Sequence, residues 1–298
     1  IRMSWFSFFG AFEIGLIFSL VALGVFISFR LLRFPDLTVD GSFPLGGAVG
    51  AVCISSGMNP FLATALAALA AAVAGIFTAL LNVRLKIMDL LASILMMIAL
   101  YSINLRIMGR PNIPIISEPT VFSVLQPDWL VDYIGRPLIM VVVVILAKLV
   151  LDVYFSTQQG LAIRATGSNP RMARAQGVNT GAMIILGMAI SNGLVGLAGA
   201  LFAQTQGGAD ISMGIGTIVI GLAAVIVGES ILPSRKLFVL TLSVILGAIV
   251  YRFFIALALE SDFIGLQAQD LNLVTALLVT VALVIPLLKQ RLARRRSA

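Results

Sequence analysis

The densest run of chemically capable side chains is Pro35-Asp-Leu-Thr-Val-Asp-Gly-Ser-Phe-Pro44, where two carboxylates and two hydroxyls sit among two prolines and a glycine, just before an apolar stretch. Prolines and glycine do not continue an ordinary helix. The segment therefore reads as a broken helix entering a bilayer, a feature that recurs at transporter sites. Asp36 and Asp40 are too costly to face lipid, so each must face protein, cavity or water. On one reading Asp40 meets an ammonium group on a transported solute while Thr38 and Ser42 add hydrogen bonds. On the other, Asp36 and Asp40 are helix caps at the cytoplasmic surface, paired with Arg30 or Arg33. Asn104, Asn192 and Gln204 are further polar side chains inside apolar runs. Hydrogen bonding between helices is their default role, and Asn104 and Asn192 join Asp36, Thr38, Asp40 and Ser42 as candidates for a solute pathway.

Much other chemistry is excluded by composition. There is no histidine, so a histidine-based zinc site, a histidine general base and a Ser-His-Asp triad are all ruled out. The single cysteine, Cys53, cannot form an intrachain disulfide and reads as a small buried hydrophobe. None of Lys86, Lys148, Lys236 and Lys289 follows a glycine, so the chain has no phosphate-binding G-x-x-x-x-G-K-[ST] loop and does not hydrolyse ATP by itself. No catalytic residues, metal ligands or cofactor of its own are expected. Ile1 and Arg2 precede the first methionine and read as a start-site remnant, and no cleaved signal peptide is expected.

The elements that position these residues must be membrane helices. Of 298 residues 60% are hydrophobic and only 11% charged, with a mean hydropathy of +1.08. Too little polar surface remains for a water-soluble fold, so lipid must be the main solvent. Uncharged or nearly uncharged runs predict nine spans, at 14–29, 41–56, 61–83, 90–105, 137–155, 180–205, 211–228, 237–259 and 271–288. Eight or ten spans remain open, because 41–56 is short. The fold class expected is thus an all-α polytopic membrane protein, a single transmembrane domain over 1–298 with a broken second span. The net charge of +7 is scattered between apolar runs with one cluster at Lys289–Arg296, a membrane-topology pattern rather than a nucleic-acid footprint. With the C-terminus in the cytoplasm, Arg30, Arg33, Arg84, Lys86, Arg164, Arg171, Arg174, Arg235 and Lys236 all fall inside, as the positive-inside rule requires. Residues 109–136 then form an external loop carrying Trp129 and Tyr133, and 156–179 a cytoplasmic one.

Several charges near or inside spans need partners. Lys148 and Asp152 stand i,i+4 and should pair. Glu229 closes the seventh span and should meet water or Arg235, while Arg252 snorkels outward or pairs with Glu13 or Glu260. Gly193, Gly196 and Gly199 with Ala189, Ala198 and Ala200 make a narrow surface suited to close helix packing. Gly207, Gly208, Gly214 and Gly216 break the chain between spans six and seven, most simply as a tight re-entrant turn.

The inner loop predicts a short helix opening at Pro170, capped by Ser168 or Asn169, running to Gln176 and stopping at Gly177. Here the sequence resembles a known family. Gly160-Leu-Ala-Ile-Arg-Ala-Thr-Gly-Ser-Asn-Pro170, followed by Ala173-Arg-Ala-Gln-Gly177-Val-Asn, is similar to the coupling loop of ABC importer permeases for branched-chain amino acids and ribose-type sugars. The run Thr38–Gly50 resembles their second membrane segment, and Gly221-Leu-Ala-Ala-Val-Ile-Val-Gly-Glu-Ser their late glycine-rich motif. Phe34-Pro-Asp-Leu-Thr-Val-Asp-Gly-Ser-Phe43 further looks like a subgroup of tryptophan/tyrosine importers. One departure is visible: Arg171 and Met172 precede Ala173 where the family's Glu-Ala-Ala motif opens on an acid.

The resemblance implies a bacterial inner-membrane subunit with a cytoplasmic C-terminus. A second permease copy completes the pathway as a homodimer, an extracytoplasmic binding protein delivers the solute, and a separate cytoplasmic ATPase binds ATP and magnesium. That ATPase docks on Pro170, Arg171, Met172, Ala173, Arg174, Ala175, Gln176 and Gly177, and its closure switches the cavity between outward and inward access. The expected cargo is an amino acid, an aromatic one by the subgroup resemblance. The competing reading is a secondary transporter driven by an ion gradient, with Asp40 or Glu229 as the ion site.

Overall fold

The computed structural model describes residues 5–127 and 131–260, together with positions 276, 277, 280 and 284. The expected ninth span at 271–288, apart from those four positions, and the basic tail lie outside the described residues, as do Asp128 and Trp129. In hydrocarbon every backbone N–H and C=O must be satisfied within the protein, and continuous helices do this locally. The elements run α1 (Trp5–Val25), a π-helical continuation (Phe26–Leu31), α2 (Val39–Ser55), α3 (Pro60–Val83), α4 (Asp89–Met108), β1 (Asn112–Pro114), α5 (Val121–Leu125) and α6 (Asp132–Ser156). They continue with α7 (Gln158–Ser168), α8 (Pro170–Ala175), α9 (Thr180–Gln206), β2 (Gly208–Asp210), α10 (Thr217–Ile231) and α11 (Leu237–Glu260).

Six helices among the described residues are long and apolar enough to span, at Ser7–Leu31, Pro60–Val83, Asp89–Met108, Ile134–Ser156, Thr180–Gln206 and Leu237–Leu257. The second and seventh expected spans appear instead as shorter helices, Val39–Ser55 and Thr217–Ile231. The expected seventh span, 211–228, is displaced. Residues 211–216 form turns, and the helix starts only after Gly216, whose φ of +82° an L side chain rarely adopts. The boundary between α2 and α3 is as the sequence predicts: Gly57 has φ +79°, and the Asn59 side chain caps α3 by accepting from Phe61 N at 2.9 Å. The inner loop is helical in both halves, not only the second.

The bundle is built around α9, which packs on α1, α2 and α3. Lipid supplies no hydrophobic drive between helices, so close contact relies on small residues that let backbones touch. A Cβ added at Gly46 of α2 would overlap the carbonyl of Gly196 on α9, and one at Gly199 would overlap the carbonyl of Phe43. On α3 the two faces separate cleanly. Ala63, Ala67, Ala71, Ala74, Gly75 and Thr78 are buried, whereas Leu62, Leu66, Leu69, Val73 and Phe77 point outward at helical spacing. The small face meets protein and the large face is exposed. Of the six long apolar helices the first is the most enclosed, with Ile17, Leu20, Val21, Ala22, Leu23 and Val25 without exposure.

An all-helical chain was expected, but a two-stranded antiparallel ribbon joins β1 to β2, pairing Asn112 with Asp210, Ile113 with Ala209 and Pro114 with Gly208. Ile54, Ala63, Met108, Ile113, Ile115, Ala203 and Ala209 share one apolar cluster at that end of the bundle. The ends of α2, α4 and α9 therefore meet on one side. At the other side α7 packs so tightly on the end of the π-helix that a Cβ on Gly167 would overlap the Leu31 carbonyl.

Candidate functional site: a buried polar knot, a half-helix and an exposed short helix

The break between α1 and α2 folds inward. After the π-helical turn, Leu32 N donates to Ile27 O at 3.0 Å and Phe34 N to Ser28 O at 2.8 Å, and Arg33 adopts φ +55°. This geometry delivers Asp36 to the bundle interior, where it has no exposure. Its Oδ1 accepts Thr38 N at 3.0 Å and its Oδ2 accepts Asn192 Nδ2 at 2.8 Å. The Asn192 amide oxygen accepts Ser42 Oγ at 2.7 Å, and the Thr38 and Thr78 hydroxyls lie 2.9 Å apart. Asp36, Thr38, Ser42 and Asn192 are thus brought together in one fully buried network linking α2, α3 and α9. Asn104 is buried beside α2 but apart from that network: its Nδ2 donates to Gly41 O at 3.2 Å and its Oδ1 has no partner.

Asp40 faces elsewhere. Its Oδ1 accepts Ile218 N at 2.8 Å and its Oδ2 accepts Gly216 N at 3.3 Å, so one carboxylate covers the opening turn of α10. Unpaired N–H groups at a helix start carry partial positive charge, and a carboxylate there is favourable. The 211–216 segment runs along α2 to reach it: a Cβ on Gly214 would overlap the Asp40 carbonyl and crowd the Pro44 ring. Neither Asp36 nor Asp40 forms an ion pair with Arg30 or Arg33. Arg30 Nε instead meets Glu229 Oε1 at 2.7 Å, which replaces the expected Arg235 partner of Glu229 and ties the end of α1 to the end of α10. Lys148 and Asp152 do pair as expected, with Lys148 Nζ 3.5 Å over the Phe238 ring centroid and Thr241 donating to Asp152 Oδ1 at 2.8 Å. Gln204 bridges Thr64 and the Val121 backbone N–H, an interhelical role.

At the opposite end of the bundle stand α7 and α8. Asn169, not Ser168, caps α8: its side chain accepts Met172 N at 3.1 Å, and Pro170 occupies the first turn. Helix α8 ends at Ala175, with Gly177 at φ +82° closing the turn. Pro170, Arg171, Arg174, Ala175, Gln176 and Gly177 are exposed, and Met172 retains 62% of its surface, while Ala173 is buried underneath.

Comparison with known proteins settles the family. Residues 8–287 match the model of the branched-chain amino acid transport system permease component. The chain belongs to this permease family. Among relatives, the permease is 38% identical over 264 residues to a tyrosine transport system permease protein of Clostridioides difficile, covering 89% of this chain and 86% of that one. It is 40% identical over 223 residues to an uncharacterised protein of Rickettsia prowazekii, 74% and 76% of the two chains. A galactofuranose transporter permease protein of Escherichia coli is 28% identical over 220 residues, 72% of this chain and 61% of its own. No solved structure matches. The permease is accordingly an integral membrane protein.

Two features of the site had little signal in the sequence. The Arg30–Glu229 pair joins residues 199 positions apart, and nothing local selects one arginine from several. Phe18, Phe43 and Phe202 form an aromatic cluster with centroids 5.5–6.0 Å apart, invisible among the chain's 18 phenylalanines.

Proposed function

We propose that this chain is the transmembrane subunit of an ATP-driven ABC importer that carries an amino acid with an aromatic side chain into a bacterial cell. The observation that carries the reading is the α7–α8 pair: an exposed, capped helix whose support is packed against the end of α1. Force on Met172 or Arg171 passes through Ala173 and α7 to Leu31, where Gly167 allows direct backbone contact. From there it reaches the Arg30–Glu229 tie and so the end of α10. A separate ATPase holding ATP and magnesium would grip α8 at Pro170–Gly177. An external binding protein would deliver cargo at the ribbon end, and a second copy of this chain would complete the pathway. The positive-inside distribution puts the α8 end in the cytoplasm.

Asp36, Thr38, Asp40, Ser42, Asn104 and Asn192 serve this pathway as its frame. They bond to one another or to backbone, and so hold α2 and α10 where the solute must pass. The same bonds weigh against an ion-gradient mechanism. Both oxygens of Asp40 accept backbone N–H groups and Glu229 is engaged by Arg30, so neither carboxylate is left as an obvious ion site. The aromatic cargo rests on the tyrosine permease relative.

The test is uptake of radiolabelled amino acids into proteoliposomes holding the permease, its ATPase and its binding protein, with ATP on the ATPase side. Uptake that needs ATP and the binding protein, and is lost on substituting Arg171–Gly177 with a Gly-Ser segment, is expected. Uptake that persists without ATP but collapses with the ion gradient would overturn the reading.

A further inference from the structure

Beside the start of α10 lies a half-open cavity of about 570 Å³, lined by α1, α9, the 211–216 turns, α10 and α11. That volume is typical of pockets for small organic ligands, about 300–1,000 Å³. Phe18, Phe202 and Met213 form an apolar wall, and Gln206, Thr217 and Arg252 bring polar groups to the same space. Phe18 and Phe202 are themselves braced by Phe43, which stacks on Phe18 at 5.8 Å.

Arg252 is the unusual member. It sits on α11 five residues before the apolar span ends at Leu257, about 7.5 Å along the axis at 1.5 Å per residue, and it is half-buried. A guanidinium at such depth is costly and normally finds a carboxylate or other acceptor. Its expected partner Glu13 does not pair with it, the side chain of Glu260, the other expected partner, lies outside the described residues, and Arg252 forms no ion pair among the described side chains. A cation facing a cavity whose other wall is aromatic has the polarity of an amino acid with an aromatic side chain: carboxylate at one end, ring at the other.

We propose that this cavity is a station for the transported solute within a single permease subunit, where Arg252 holds the α-carboxylate and Phe18, Phe202 and Met213 receive the aromatic ring. Gln206, which lines the same space, offers an acceptor for the ammonium group. This site rests on the proposed function for its cargo but not for its geometry. Since α10 is tied to the α8 end through Arg30–Glu229, a shift of α10 would open or close the wall that Thr217 forms.

The experiment measures ATP-dependent uptake of radiolabelled L-tyrosine by the reconstituted complex, comparing wild type with Arg252→Met, Arg252→Lys and Phe202→Ala. Arg252→Met should lower uptake at least tenfold while still co-purifying with the ATPase, and Arg252→Lys should recover part of it at raised KM. Phe202→Ala, which leaves α11 untouched, should raise KM for tyrosine at least fivefold and carries the test alone if Arg252→Met does not assemble. Wild-type uptake of tyrosine with both variants unimpaired overturns the site alone. So does an Arg252→Met complex that transports normally but loses thermal stability in anionic lipid, which makes Arg252 a headgroup contact. A wild-type complex that takes up no aromatic amino acid overturns the cargo reading as well.

Discussion

Asp40 on α2 caps Ile218 on α10, its Oδ1 accepting the Ile218 N–H at 2.8 Å across 178 residues of sequence. The second oxygen of the same carboxylate takes the N–H of Gly216. A helix that starts inside a bundle needs acceptors for its first N–H groups. The start of α10 is thereby set by a residue of another helix.

This makes Asp40→Asn informative. An amide offers one acceptor oxygen instead of two and no charge, so one N–H of α10 goes unmet at the positive end of its dipole. The loss should be about 1–2 kcal/mol, read as a lower unfolding temperature in detergent, with transport falling further because the wall of the pathway moves. Unchanged stability would show that α10 does not depend on this cap.

The α2–α9 crossing depends on missing side chains. Gly46→Leu must push α2 away from the Gly196 carbonyl and should prevent a monodisperse protein from being purified. Gly10→Ala in α1 is the matched control, since an added Cβ there has no neighbour within 4 Å. It should be neutral or stabilise by up to about 1 kcal/mol, the propensity difference between glycine and alanine.

The Arg30–Glu229 tie should matter to motion more than to stability. The arginine side chain is 56% exposed, and exposed pairs contribute about 1 kcal/mol or less. Arg30→Glu and Glu229→Arg should each cut ATP-driven uptake severalfold with little change in unfolding temperature, and the double exchange should restore it. Additive losses in the double variant would mean that the pair does not transmit motion.

Outside the membrane, the Ser212 hydroxyl donates to the Asp210 carboxylate and holds its pKa below the ordinary aspartate range, with the Ser212 N–H and Asn112 assisting. A depressed folded pKa gives stability that is present above the unfolded value and lost as pH falls through the folded one. Exchange of the Ile211 amide, which donates to Pro111 O at 3.0 Å beside the ribbon, should therefore be protected equally from pH 5 to 8 once corrected for intrinsic rates. Protection should fall only in strong acid, and Asp210→Asn should remove that acid step.

The helices were legible where one physical rule acted alone. The Gly57–Asn59–Pro60 turn, the Asn169–Pro170 opening of α8 and the Lys148–Asp152 pair all follow from spacing within one segment. The 15-residue α10 was misplaced because its first residue is chosen by Asp40. The ribbon was missed because β1 and β2 have three residues each, too few for a periodicity.

Sequence by itself thus determined that the chain lives in lipid, where its long helices run and where α8 begins, since hydropathy and capping are local properties. Tertiary structure alone decided which polar groups meet. Asp36 turned to Asn192, Asp40 to α10, Glu229 to Arg30, and Arg252 was left facing a cavity. In a medium without water a polar side chain takes whichever complementary group the packing brings within about 3 Å, and that choice is made by helices far apart in the chain.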